Sequence, residues 1–309
     1  MTSEPRGNAV TTSESTFAEP VVAGPARTGA GRLRLRGTVP RGLAYLLFAL
    51  LAIVEVLPYY WMLVRATHTD TEMVRWPPPL GLGNSVMVNY DYILSQFPMW
   101  RNFFNSILIA TTHMALVIFF GSLVAYAFAF CRDAPGRKFL FGFCLATMMI
   151  PGSLNMVPYF TLMTKLGWLN NYLALIVPGA ASPFAIFWLH QFMRYTVPLE
   201  LLDAARIDGC SRFGTYWRVV LPIIPAGLAT QAVLTFLGSW NDFFAPLLVL
   251  TDRQMYTYPL MIYTLRGHII PAVSPSQLGV VIGTVPVLIV FVLASRSFMS
   301  GIMAGAVKA

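Results

Sequence analysis

The sequence predicts an all-α polytopic membrane protein with six transmembrane helices. Of its 309 residues, 56% are hydrophobic and only 11% are charged, whereas soluble domains carry about 25% charged residues. The hydrophobic residues are concentrated in six runs, each long enough to cross about 30 Å of hydrocarbon as a helix. Arginines cluster beside alternate ends of these runs, which is the pattern that orients a membrane protein.

The first 42 residues precede the first apolar run and are rich in Ser, Thr, Pro, Gly and Ala. A segment of this composition cannot bury a core, so residues 1–42 are predicted to form a disordered tail. The tail closes with a basic stretch, Arg32, Arg34, Arg36 and Arg41. A cleaved signal peptide is the alternative, but the following apolar run is longer than a typical h-region. An uncleaved first span is therefore expected.

The predicted transmembrane domain covers residues 43–299. Its apolar runs are residues 43–64, 106–130, 139–163, 172–193, 224–250 and 278–298. The third run is the least regular, because Pro151, Gly152 and Pro158 interrupt it and proline kinks a helix. Irregular backbone at membrane depth is tolerated where it is buried in protein or lines a cavity. We therefore expect this run inside the helix bundle, and Asn155 within it is a candidate for the solute path.

The basic residues give the orientation of the chain. Fifteen of them fall on one side of the predicted membrane and five or six on the other. The positive-inside rule then places both termini in the cytoplasm, together with the loop 194–222 and a short tail, residues 300–309. Although the net charge is +8, most arginines lie beside spans, so nucleic-acid binding is not indicated.

The cytoplasmic segment 203–222 is too strongly patterned to be a simple connection. It contains two amphipathic helical patterns separated by Gly209. Glycine suits the left-handed position that ends a helix, and Ser211 is a plausible cap for the next helix. Leu221 and Pro222 are expected to end that second helix. The pattern predicts docking onto a partner, and an ordinary amphipathic interfacial hairpin is the alternative.

The spacing of this segment resembles the "EAA" loop in membrane subunits of ATP-binding-cassette (ABC) importers. The family pattern is Glu-Ala-Ala, three residues, Gly, nine residues, Ile, one residue and Leu-Pro. Here Asp203 stands in place of the Glu and Val219 in place of the Ile. The resemblance implies that the loop couples to an ATPase through Asp203, Ala204, Ala205, Gly209, Leu221 and Pro222.

Three further segments resemble the carbohydrate-importing branch of this family. Residues 102–107 resemble the "NS" entry to the second span, and residues 238–247 resemble the "WN-(D/E)-F-x-x-PL" signature of span five. The end of the chain, 301–309, resembles the "G-x-x-x-GAVKG" tail of the shorter, MalG-type subunit of maltose permeases, with Ala309 replacing the last Gly.

Three consecutive residues of the span-five signature are candidates for the solute path. Trp240, Asn241 and Asp242 lie in the outer half of the span, where polar side chains facing lipid are costly. An aromatic face beside amide and carboxylate groups suits a sugar, which presents apolar C–H faces and many hydroxyls. The alternative is that the three residues cap or cross-link helices.

The resemblance implies a type I ABC importer permease fold and a set of partners. These are a second, related permease subunit, two ATPase subunits that bind the ATP, and an extracytoplasmic solute-binding protein. The loop 251–277 is then expected to reach the binding protein, and the implied location is a bacterial or archaeal cell membrane. No cofactor is implied. Glycerol-phosphate or another polar solute remains an alternative to a sugar.

Two other functional classes find little support in the sequence. An enzyme would need a catalytic motif, but there is no phosphate-binding loop, and Cys131, Cys144 and Cys210 lack metal-ligand spacing. A secondary transporter would need ionisable relays or inverted broken repeats, and neither is evident. Glu55 in the first span is expected to make a helix–helix contact, and His113 and His190 to make packing hydrogen bonds.

Overall fold

The computed structural model describes the backbone of residues 41–267 and 272–306. The chain divides into two compact units, Met1–Leu51 and Ala52–Ala309. Of the first unit, the described residues are only 41–51, so the disordered tail predicted for residues 1–42 lies almost wholly outside them. The first helix begins at Arg41.

Every regular element in the described residues is helical. The helices are α1 Arg41–Ala66, α2 Asp70–Met73, α3 Val86–Gln96, α4 Met99–Phe130, α5 Arg137–Thr147, α6 Met156–Lys165, α7 Leu173–Ile176, α8 Pro183–Thr196, α9 Leu199–Ile207, α10 Arg212–Thr215, α11 Leu221–Ile223, α12 Pro225–Asn241, α13 Phe244–Val249, α14 Tyr258–Arg266 and α15 Val273–Ala306. A 3₁₀ turn, Gly152–Asn155, precedes α6, and a π-turn, Tyr216–Val220, joins α10 to α11.

Within the described residues, three helices are long and apolar enough to cross a membrane, or up to five spans if each bent pair counts as one. Helices α1, α4 and α15 correspond to the first, second and sixth predicted spans. The third predicted span corresponds to α5 and to the segment Gly152–Lys165, and the angle between the two is 95°. The fifth corresponds to α12, which makes an angle of 83° with the preceding segment, Arg212–Ile223. The prediction of an all-α membrane fold is confirmed.

The fourth predicted span, residues 172–193, is not one helix. It is divided into α7 and the 14-residue α8, because Pro178, Gly179 and Pro183 cluster between them. Pro183 occupies the first turn of α8, and the Ser182 hydroxyl accepts a hydrogen bond from the Ala185 amide at 3.4 Å. These residues start a new helix rather than continue one, so the number six stays a prediction.

The third span breaks where its sequence predicts, at Pro151 and Gly152. Its expected position inside the bundle is not observed in this chain, however. Met149, Leu154 and Val157 are 85%, 67% and 75% exposed, and Met163 is the buried residue of α6. Within the described part of this chain, the broken span is therefore left largely exposed.

The last helix packs closely because two glycines face its neighbours. A Cβ added at Gly283 would lie 2.7 Å from the ring of Tyr258, and one added at Gly279 would lie 2.2 Å from Ile262. The carbonyl oxygens of the two glycines accept hydrogen bonds from the Trp240 indole at 3.2 Å and the Tyr258 hydroxyl at 2.8 Å. Helix α15 is therefore fixed against α12 and α14.

Two other expectations concern the ends of the domain. The 300–309 segment predicted as a tail is helical as far as Ala306, because α15 continues without a break, and residues 307–309 lie outside the described part. Glu55 is exposed in α1. The helix–helix contact expected for it is therefore not made within the described part of this chain.

Candidate coupling loop and membrane cavity

The first helix of the loop 203–222 is α9, and most of its residues are exposed. Pro198 is its N-cap, with φ −62° and ψ 138°. Leu202 and Ala205 are buried against the body of the subunit, whereas Asp203 and Ala204 are exposed. The larger side chains of Leu199, Leu201, Arg206 and Ile207 are exposed as well, and a partner can approach the backbone most closely at Ala204. Asp203 also forms an ion pair with Arg206 at 3.3 Å.

Gly209 ends α9 in the left-handed conformation that the sequence predicts, with φ +77°. The Gly209 amide donates to the Arg206 carbonyl at 3.0 Å, and the Cys210 amide donates to the Ala205 carbonyl at 2.9 Å. This pair of hydrogen bonds is a Schellman motif, which satisfies the last carbonyls of the helix. Ser211 then caps α10, since its hydroxyl accepts from the Gly214 amide at 3.1 Å, as predicted.

The second helical pattern does not end at Leu221 and Pro222. Pro222 lies in the first turn of α11, and the helix continues to Ile223. The chain turns at Ile224, which has φ −107° and ψ 25°, immediately before Pro225. The preference of a residue before proline for non-helical backbone explains the position of the break. The helix therefore ends one residue later than expected, because the second proline, not the first, terminates it.

The loop is tied to the C-terminal half of α4. The Tyr216 hydroxyl, in the π-turn, lies 2.8 Å from the Ser122 hydroxyl in a buried contact. One turn further along α4, the Tyr126 hydroxyl donates to the Arg212 carbonyl at 3.0 Å. The Arg212 guanidinium also pairs with Asp133. A displacement of the loop would therefore be passed directly to α4.

The ion pair between Arg212 and Asp133 is solvent-exposed, so it contributes little to holding the loop against α4. A backbone amide hydrogen bond within Asp133 lowers the pKa of its carboxyl, and the Arg212 guanidinium lowers that pKa further. The carboxyl is thus ionised at neutral pH. The two buried tyrosine contacts hold the loop more firmly.

A cavity of about 430 Å³ opens between α4, α7 and α12. Two adjoining cavities, of about 440 and 250 Å³, share lining residues with it. Asn241 and Asp242 line the first cavity, and Asn155 and Asp242 line the smallest. The structure therefore brings together three of the four residues that the sequence predicts for the solute path.

Trp240, the fourth, does not line any of these cavities. Its side chain is 2% exposed and lies in a cluster of aromatic rings formed by Phe103, Phe236 and Tyr258. Asp242 has a capping role in addition to its place in the cavity. Its Oδ1 accepts hydrogen bonds from the Phe244 and Ala245 amides, at 3.0 and 3.4 Å, at the start of α13.

Sequence reasoning missed two residues of the cavity wall. Tyr159 lines two of the cavities and donates its hydroxyl hydrogen bond to the Ala174 carbonyl at 2.9 Å. His113 also lines two of them, and its Nδ1 lies 2.9 Å from the Ile176 carbonyl oxygen. That contact is the packing hydrogen bond expected for this histidine. An intramembrane histidine is a signal for a site, but only the fold shows which neighbours surround it.

The "NS" segment has a structural role at the start of α4. The Asn105 amide donates to the carbonyls of Gln254 and Tyr256, at 2.9 and 3.1 Å, and the Ser106 hydroxyl accepts from the Tyr258 amide at 2.7 Å. These contacts fix the segment that enters α14. Part of the loop 251–277 is thus held rigidly against α4, while residues 268–271 lie outside the described part.

Comparison with known proteins identifies the family. Residues 117–302 match the family model of the inner membrane component of binding-protein-dependent transport systems. The chain is 36% identical over 264 residues to the arabinooligosaccharides transport system permease protein AraQ of Halalkalibacterium halodurans, covering 84% of this chain and 94% of the relative. It is 30% identical to the lactose transport system permease protein LacG of Rhizobium radiobacter, covering 89% and 98%.

The fold is likewise similar to a solved one. A chain in the crystal structure of a bacterial ABC transporter involved in the import of the acidic polysaccharide alginate matches with a TM-score of 0.70 and 19% identity, covering 83% of this chain and 95% of that chain. At this identity the match supports the type I permease fold alone. The family match, the relatives and the helical fold agree that this chain is a membrane transport subunit and not an enzyme. It belongs to the inner membrane components of binding-protein-dependent ABC transport systems.

Proposed function

We propose that this chain is a permease subunit that imports a sugar or oligosaccharide and couples that import to ATP hydrolysis by a partner. The observation that carries the proposal is the loop 203–222, in which a Schellman turn at Gly209 ends the exposed amphipathic helix α9. The curated relatives named above transport arabinooligosaccharides and lactose, which supports a sugar as the solute. Glycerol-phosphate or another polar solute is the alternative.

The proposed assembly follows from the family. A second, related permease forms a heterodimer with this chain, two ATPase subunits dock onto the cytoplasmic loops, and an extracytoplasmic binding protein delivers the solute to the opposite face. Both termini are cytoplasmic in this arrangement, and the host membrane is bacterial or archaeal. The exposed apolar face around Met149, Leu154 and Val157 supports cover by the second permease.

In the proposed cycle, closure of the ATPase pair moves α9, and the helices joined to it change the side to which the cavity opens. Asn155, Asn241 and Asp242 border the solute path, and Trp240 supports its wall. The contacts of Ser122 with Tyr216 and of Tyr126 with Arg212 carry the movement into α4.

Reconstitution tests the proposed function directly. This polypeptide alone in proteoliposomes should neither hydrolyse ATP nor take up sugar, because the chain contains no phosphate-binding loop. The complete transporter should accumulate labelled arabino- or malto-oligosaccharide only with ATP and the binding protein. Uptake by the chain without its partners, driven by an ion gradient, would establish a secondary transporter and refute the proposal.

The buried hydroxyl pair provides a test of the mechanical connection. Tyr216→Phe or Ser122→Ala should lower the sugar transported per ATP hydrolysed by about fivefold, since one hydrogen bond contributes roughly 1 kcal/mol. The double variant should be no worse than either single one, because both remove the same contact. Thr111→Val is the matched control: it removes a hydroxyl on α4 that bonds only within its own helix, to the Ile107 and Leu108 carbonyls. Additive losses in the double variant would contradict a shared contact.

A further inference from the structure

Several polar groups that line the cavity present hydrogen-bond acceptors. The Ile176 carbonyl can only accept, so the His113 Nδ1 that lies 2.9 Å from it carries the proton. In a neutral imidazole the other nitrogen, Nε2, is then an acceptor. It lies on the side of Gly179, since a Cβ added there would approach it to 2.9 Å. The Tyr159 hydroxyl has its proton committed to the Ala174 carbonyl, which leaves its oxygen as an acceptor.

Residues of α12 and the segment after it add further acceptors. The Asn241 amide donates one hydrogen to the Leu237 carbonyl at 2.9 Å, so its carbonyl oxygen and one N–H remain. Asp242 uses Oδ1 to cap α13, and its second carboxylate oxygen is not engaged in that cap. Among the described residues that line the three cavities, none is lysine or arginine.

These features discriminate between the two solute classes that the proposed function leaves open. A neutral sugar offers many hydroxyl donors, which match these acceptors. A phosphate, sulfonate or uronate offers acceptor oxygens and a negative charge, and it would meet the Asp242 carboxylate with no lining lysine or arginine to offset it. Charges interact more strongly at membrane depth than in water, because the effective dielectric constant is lower there.

We propose that the cavity accepts neutral, hydroxyl-rich solutes and excludes anionic ones, and that Asp242 sets this selectivity. The inference rests on the proposed function, in which the cavity is part of the solute path. It goes beyond that function because it states the charge of the solute and names the side chain of this subunit that selects for it.

A labelling experiment measures the selectivity without knowledge of the natural solute. Ser239 lines the two larger cavities beside Asp242, and Ser239→Cys introduces a reporter after Cys131, Cys144 and Cys210 are replaced by alanine. The nucleotide-free complete transporter is treated with a neutral, sugar-linked methanethiosulfonate or with the anionic sulfonatoethyl reagent. The ratio of the two rates cancels changes in thiol reactivity, because both reagents attack the same thiolate.

Asp242→Asn is the informative variant, because asparagine keeps the capping oxygen and the size of the side chain while removing the charge. The rate of the anionic reagent relative to the neutral one should rise about two- to hundredfold, the range expected for unit charges about 6–8 Å apart at effective dielectric constants of 80 to 20. Asp252→Asn is the matched control, since Asp252 caps its own loop by accepting from the Gln254 amide at 2.9 Å but lines none of the three cavities. It should leave the ratio unchanged.

An unchanged ratio in Asp242→Asn, or an equal change in Asp252→Asn, would overturn the inference. Charges contributed by partner subunits are common to all variants, so they cannot produce a difference between them. The proposed function is tested separately, by ATP-driven oligosaccharide uptake in the transporter that retains Asp242. Absence of that uptake would refute sugar import whatever the labelling ratios show.

Discussion

Replacing Gly209 with valine should leave the ATPase active while uptake of solute falls about five- to thirtyfold. Gly209 has φ +77°, and a β-branched residue in this left-handed region costs about 1–2 kcal/mol. An added Cβ would meet no heavy atom within 4 Å, so the effect arises from backbone strain and not from a clash. The strain should displace α9 from its docked position, and ATP hydrolysed per solute transported measures the result.

Two control variants separate this effect from a general loss of stability. Gly167 also has a positive φ, of 68°, with open space around it, but it lies outside the loop 203–222. Gly167→Val should carry similar strain and keep the normal coupling ratio. Gly209→Asn should retain most of the coupling, because asparagine tolerates the left-handed conformation. Normal coupling in Gly209→Val would show that the loop does not depend on this turn.

The conformation of the loop 203–222 was predictable because its signals are local. Gly209 follows one helical pattern and Ser211 begins the next. The turns that they form are closed by hydrogen bonds between residues within five positions of each other, such as Cys210 to Ala205 and Gly214 to Ser211. The break in the third span was predictable for the same reason, since Pro151 and Gly152 act on their own backbone. Such rules need no knowledge of the fold.

Non-local features escaped the sequence. At the division of the fourth span, His113 of α4 approaches Gly179 so closely that no space is left for a Cβ there. The small-residue spacing of Gly279 and Gly283 was present in the sequence and is typical of close helix packing in membranes. Its partners, Tyr258 and Trp240, could be identified only from the structure.

The span-five signature shows how far a motif predicts a site. Trp240 and Asn241 are consecutive, and consecutive residues of a helix point about 100° apart because there are 3.6 residues per turn. They therefore point in different directions, and in the structure Asn241 lines the cavity whereas Trp240 is buried in the core. Asp242 follows the end of α12, where the backbone leaves the helix and returns its side chain to the cavity.

Trp240→Ala should abolish the assembled transporter, not merely its uptake. The indole is 2% exposed; its ring lies 5.5 Å from that of Phe103 and 6.1 Å from that of Phe236, and its Nε1 donates to the Gly283 carbonyl. Truncating a buried aromatic side chain costs about 3–5 kcal/mol, a large part of the stability of a typical domain. The amount of subunit that co-purifies with the ATPase, and its melting temperature, measure the loss.

Two further variants decide whether Trp240 supports the wall of the cavity or gates the solute path. Trp240→Phe keeps most of the packing and loses one hydrogen bond, at roughly 1 kcal/mol, so assembly and uptake should largely survive. Trp76→Ala, which alters a side chain that is 92% exposed, should have no effect on assembly. If Trp240→Ala instead yields a complex of normal stability that hydrolyses ATP without moving solute, the indole acts in the path itself. In that case packing against α15 would not be the main role of Trp240, and its assignment to the core would be wrong.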